Sequence, residues 1–160
     1  MANEFTDLIN KINNSVRSDK NLRIALSTTL AIQKPRIFSQ GFDAKGAKIG
    51  TYSTKPISIS KKKQARNTGK TYFKGGYAEY HRAIGKGTNE VNLRNTDQMM
   101  MDYGLQGSGL NYGFGFQNSE NYKKSQWMQE KYHKEIFDLS RNELNVLTNV
   151  LTDLLIKDLK

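Results

Sequence analysis

The chain has 160 residues, no cysteine, and 25 lysines and arginines against 15 aspartates and glutamates, a formal charge of +10. One domain of this length has room for a genuine core, while disulfides, thiolate metal sites and thiol catalysis are excluded. A polyanion or an acidic protein surface is an expected neighbour, and the absence of a long apolar run, or of a basic-then-apolar leader after Met1, predicts a chain made in the cytosol without membrane contact.

Phe5, Leu8, Ile9, Ile12 and Val16 recur at helical spacing with Asn10, Lys11, Asn13 and Asn14 between them, which predicts an amphipathic helix in need of a packing partner. Ser18-Asp19 then offers a cap for a second helix through Leu22, Ala25, Leu26, Thr29 and Leu30, and Pro35 is expected to end or kink it before Gly41. A turn composition over Phe42–Gly46 is followed by strand-like alternation in Ile49–Tyr52 and Ile57–Ser60. Residues 53–90 read as an extended basic arm or loop. Between Ser53 and Gly87 nine cations stand against the single carboxylate of Glu79. A short helix is conceivable around Tyr72–Ile84, although Gly75-Gly76 speaks against it.

The strongest β signal comes next. Met99–Gln106, the glycines of Gly107-Ser108-Gly109, and the alternation of Leu110, Tyr112, Phe114 and Phe116 predict a hairpin whose second strand buries an aromatic face. Gly113 and Gly115 on the opposite face suit either the close approach of another backbone or a plain solvent face. A helix is expected from Ser119 through Tyr122, Trp127 and Met128, then a strand over Glu135–Leu139. The capping-box pattern of Ser140 and Glu143 opens a final helix carrying Leu144, Leu147, Val150, Leu151, Leu154, Leu155 and Ile156. The sum is a single α+β domain spanning 1–160, a small, mostly antiparallel sheet covered by N- and C-terminal helices, with the basic arm inside it.

Chemistry-bearing patterns are sparse. His81 and His133 lie in different segments and read as surface residues; Asp97, Asp102, Glu130 and Glu135 do not group. Gly85-Lys86-Gly87-Thr88 lacks the first glycine and the preceding strand of a phosphate loop. No catalytic residue, metal site or cofactor is expected. The basic arm is different, because Lys61, Lys62, Lys63, Arg66 and Arg82 share one segment with Tyr72, Phe73, Tyr77 and Tyr80. Cations interleaved with rings form a platform for single-stranded nucleic acid, or else the rings order against a neighbouring subunit.

Several phrases occur in an order that resembles the virion-morphogenesis or tail-completion proteins of tailed phages and prophages. They are Asp43–Ser53, Gly75–Arg82, Val91–Met99, Tyr112–Phe116, Lys124–Tyr132 and Ile136–Ser140, and the resemblance covers roughly residues 30 to 145. It implies a structural neck protein that forms a ring joining connector to tail, with no enzyme activity. The implied partners are copies of itself and other neck, connector and tail proteins, with non-specific contact to the packaged DNA as a further role for the arm. The implied place is the virion. One departure stands out, since Thr96-Asp97 occupies a place where such proteins often carry Thr-Gly.

Overall fold

The computed structural model describes residues 2–60, 69–87 and 90–160. In chain order the elements are α1 (Ala2–Val16), α2 (Asp19–Phe38), β1 (Ile57–Ser60), β2 (Lys70–Phe73), α3 (Gly76–Ala83), α4 (Gln98–Asp102), β3 (Tyr103–Ser108), β4 (Asn111–Phe116), α5 (Ser119–Tyr132) and α6 (Arg141–Leu159). The class is α+β. Among the described residues all strand pairing is antiparallel but divided between two separate hairpins, with Ile57 opposite Phe73 in one and Tyr103 opposite Phe116 in the other.

Helix α2 begins as its sequence suggests, the Ser18 hydroxyl accepting from the Asn21 amide. It does not stop at Pro35. The ring forfeits one backbone bond to the preceding turn, yet the helix runs on to Phe38 because Ile37 and Phe38 are fully buried and hold the last turn in the core. The Pro35 carbonyl compensates by accepting from both the Ser39 and Gln40 amides, at 3.0 and 2.9 Å.

The core gathers around that helix end: Ile37, Phe38, Ile49, Val91, Leu93, Tyr103 and Ile136 are buried together, with Phe114, Phe116 and Phe137 packed against them. Each large side chain removed from water contributes roughly 1.5–3 kcal/mol. Aromatic pairs add geometry, Tyr103 lying 5.0 Å from Phe116 and Phe116 meeting Phe137 edge-on at 5.2 Å.

Antiparallel to α2, helix α6 is tied to it at both ends. At one end Asn21 donates to Asp158 at 2.7 Å. At the other, Arg36 reaches Glu143 through two bonds of 2.7 and 3.2 Å. The remaining Arg36 donors go to the carbonyls of Phe42, Ile136 and Asp138, so all five guanidinium N–H groups are used. Glu143 also accepts from the Ser140 amide, closing the capping box.

Three expectations need correction. Glu135–Leu139 bends at Phe137-Asp138 and pairs with no strand among the described residues, because side chains take its backbone: Gln129 accepts from the Ile136 amide while Arg36 and Gln33 donate to the carbonyls of 136–138. Met99–Asp102 belongs to α4, so the second hairpin starts only at Tyr103. Ile49–Tyr52 contributes no strand but the isolated bridge of Thr51 to Glu90. At Gly113 a side chain would meet open space, so within this chain that face of β4 fits the solvent reading.

Candidate functional site

The described part of the basic segment is not extended throughout. It forms the β1–β2 hairpin and then α3, which begins at the glycine pair that had argued against a helix. Gly76 has φ +70°, and a Cβ there would lie 2.4 Å from the Lys55 carbonyl oxygen and 2.5 Å from that of Ser53. Only glycine fits this crossing. Immediately beyond it the Ala78 amide donates to the Ser53 carbonyl, pinning α3 beneath the chain that leads into the hairpin.

Helix periodicity then sorts the aromatics. Tyr77, Tyr80 and His81 share one face of α3, where Phe73 meets Tyr80 and Tyr80 meets Tyr77, each at 5.4 Å. Tyr52 joins the cluster at 5.1 Å from Tyr77 and 4.3 Å from His81. Phe73, Tyr80 and Tyr77 meet edge-on and Tyr52 is tilted against its neighbours, while Tyr77 stacks on His81 at 6.0 Å, so these rings pack chiefly on one another. Tyr72, on the opposite side of β2, is 63% exposed, and Arg82 points away from the cluster face into solvent. Of the expected contact residues, then, Phe73, Tyr77 and Tyr80 come together and Tyr72 and Arg82 stand apart. Lys61, Lys62, Lys63 and Arg66 lie outside the described residues.

His81 is not a surface residue. It is fully buried, neither ring nitrogen has a side-chain or backbone hydrogen-bond partner of good geometry among the described residues, and burial holds it below the ordinary histidine range. Beside it, the Tyr52 hydroxyl exchanges hydrogen bonds with Asn92, and burial pushes it up to about 12. His133 is exposed and caps the end of α5 with φ +51°.

The cluster walls one side of a cleft whose other side is α5. Lys124, Trp127, Met128 and Lys131 recur at helical spacing and line it together with Tyr52, Tyr77 and Tyr132, enclosing about 450 Å³. Gly50 lets the Tyr132 ring lie flat on the backbone, since a Cβ there would stand 2.7 Å from the ring. The Lys131 ammonium sits 4.6 Å above the Trp127 ring. This cleft was not anticipated, although the stripe of Lys124, Trp127, Met128 and Lys131 is legible as one helical face. A second cavity of about 820 Å³ lies under the hairpin and shares Leu93, Asn95, Met99 and Lys124 with the first, making one groove.

The carboxylates do not converge. Asp97 is held by Lys86 and by Arg94 at 2.8 Å, and those two hydrogen bonds draw it down to about 2. Asp102 accepts from Asn118 and Asn121 at the start of α5, and Glu135 pairs with Lys45. Among the described residues no cluster of three histidines or carboxylates has the arrangement of a metal site, and no helix is long and apolar enough to cross a membrane. Comparison with protein-family models, curated proteins and solved structures finds no match to this chain.

Proposed function

We propose that the chain is a non-catalytic structural protein of a tailed phage, a head–tail joining or tail-completion component that assembles into a ring between connector and tail. The observation that carries the assembly reading is the apolar surface left on the helical layer. Leu8, Ile9, Ile12 and Val16 lie on one face of α1, and each remains more than a third exposed while α1 packs on α6. Leu144 and Ile156 of α6 are about half exposed as well. Apolar area of this kind on a helix face marks a protein contact. A closed ring repeats one heterologous contact, so each subunit requires two different faces; the α1–α6 layer and the aromatic groove beside α5 are two such faces.

The phage assignment itself rests on the order of sequence phrases. Several of their residues are structural: Ile49, Val91, Leu93 and Ile136 form the buried core and Gly76 makes the α3 crossing.

Immunogold labelling of particles carrying an epitope-tagged copy tests the reading. Gold at the junction of head and tail is expected; label on the capsid, or none on intact particles, would overturn it. A second reading, a free nucleic-acid-binding module, draws on the exposed Tyr72 flanked by exposed Lys70 and Lys74. Titration with DNA at 50 and 200 mM salt separates the two. Tight binding by the isolated chain that falls by orders of magnitude with salt would favour the module.

A further inference from the structure

We infer that the groove between α3 and α5 is the seat for an acidic, apolar segment of a partner protein: a large aliphatic or aromatic side chain flanked by carboxylates. This deepens the assembly reading, on which it rests, by naming the chemistry of one partner.

The lining decides the class of ligand. The cleft is walled by four rings, those of Tyr52, Tyr77, Trp127 and Tyr132, and floored by Leu93, Met99 and Met128. Aromatics and methionine are the residues enriched where a partner's side chain is taken up. Trp127 is 54% exposed, a large ring held at the mouth with one face covered by its own Lys131.

Charge then selects among apolar ligands. Lys124 and Lys131 are the charged residues of the lining, no carboxylate lies among it, and neither lysine has an ion-pair partner among the described residues. In the adjoining cavity the one carboxylate, Asp97, is neutralised by Lys86 and Arg94. A neutral apolar segment would bring no opposite charge to Lys124, or to Lys131 beyond its ring contact with Trp127, and a basic one would be repelled.

Nucleic acid is the less favoured occupant. Stacking platforms present free ring faces along a track of several cations. Here the rings of α3 are turned onto each other, one face of Trp127 is occupied, and much of the floor is aliphatic or thioether.

Length completes the picture. Because the two cavities share Leu93, Asn95, Met99 and Lys124, the groove runs on from the Trp127 mouth to the underside of the hairpin, where Phe73 and Tyr80 line it. It accommodates several residues of a bound segment rather than a single side chain.

Trp127 is the sole tryptophan of the chain, so its emission reports this site alone. The intact protein is titrated to millimolar concentration with a capped hexapeptide bearing Phe-Leu at its centre and two glutamates on each side. A parallel titration uses the same peptide with lysines for glutamates, and another uses a twelve-residue oligothymidylate. The glutamate peptide is expected to change Trp127 emission saturably. The doubly substituted Lys124→Glu/Lys131→Glu chain should weaken it by about ten-fold or more, with unchanged circular dichroism because both positions are exposed. No saturable change up to millimolar peptide, equal response to the lysine peptide, or tighter binding of the oligothymidylate each overturns the inference. The titration uses free protein and the particle labelling does not, so one can fail while the other stands.

Discussion

Arg36 joins four parts of the chain through one guanidinium, binding Glu143 on α6 and the carbonyls of Phe42, Ile136 and Asp138. Its desolvation is offset only because every donor is answered, so removing either charge leaves the other stranded in the interior. Arg36→Met and Glu143→Gln are each expected to cost about 3–5 kcal/mol, measured by urea unfolding; a loss below about 1 kcal/mol would mean the pair behaves as a surface bridge. His81 sets a different residue-scale expectation. Burial, aided by nearby Lys86, lowers its folded pKa, so the unfolded chain takes up the proton first. Its share of stability is therefore complete above the unfolded value of about 6.5 and declines as pH falls through the depressed folded one. Thermal unfolding followed from pH 7.5 down to 5 should show this decline, and His81→Phe, which fills the site without an unpaired nitrogen, should flatten it. An unchanged slope in that variant would sink the assignment.

At the scale of elements, the joint before α4 turns on Asp97. It adopts φ +59°, a left-handed conformation in which glycine is at home. Asp97→Ala keeps the strain and loses the bonds to Lys86 and Arg94, whereas Asp97→Gly loses the bonds and relieves the strain. The alanine variant should be the less stable by about 1–2 kcal/mol; equal urea midpoints would count against the turn. Elements governed by local patterns were legible beforehand. Ser18 and Ser140 cap their helices as read, Ile57–Ser60 is a strand, and the Tyr112–Phe116 alternation lies in β4. What escaped depended on distant side chains. Glu135–Leu139 has the composition of a strand, and nothing local reveals that Arg36, Gln33 and Gln129 occupy its hydrogen-bonding edge. Likewise the two glycines of 75–76 lower helix propensity, and only the passage of residues 53–55 overhead shows why one of them is required. The cleft beside α5 was half visible: its lysine and tryptophan stripe is periodic, but the facing Tyr52 and Tyr77 come from segments 47 or more residues away in the chain.

For the whole molecule, the distribution of burial matters more than its sum. The tightly packed residues surround the end of α2, while α1 and much of α6 have an apolar stripe that is only partly covered; Glu143 is the buried residue of α6. A lone subunit gains little from Val16, which is 66% exposed, or from Leu8 at 44%. Substituting both with aspartate should therefore change the thermal midpoint of the monomer by only a few degrees, since exposed positions contribute within about 0.5 kcal/mol each and about 1 kcal/mol shifts a domain of this size by 2–4 °C. If the face is an assembly contact, the same pair places two charges against a partner's apolar surface. Sedimentation velocity at rising concentration should then show oligomers for the native chain and monomer for Leu8→Asp/Val16→Asp at matched thermal stability. Oligomers of the same size for both would move the contact away from α1, and a collapse of the monomer's thermal midpoint would show instead that α1 is held by its own α6 more firmly than its exposure implies.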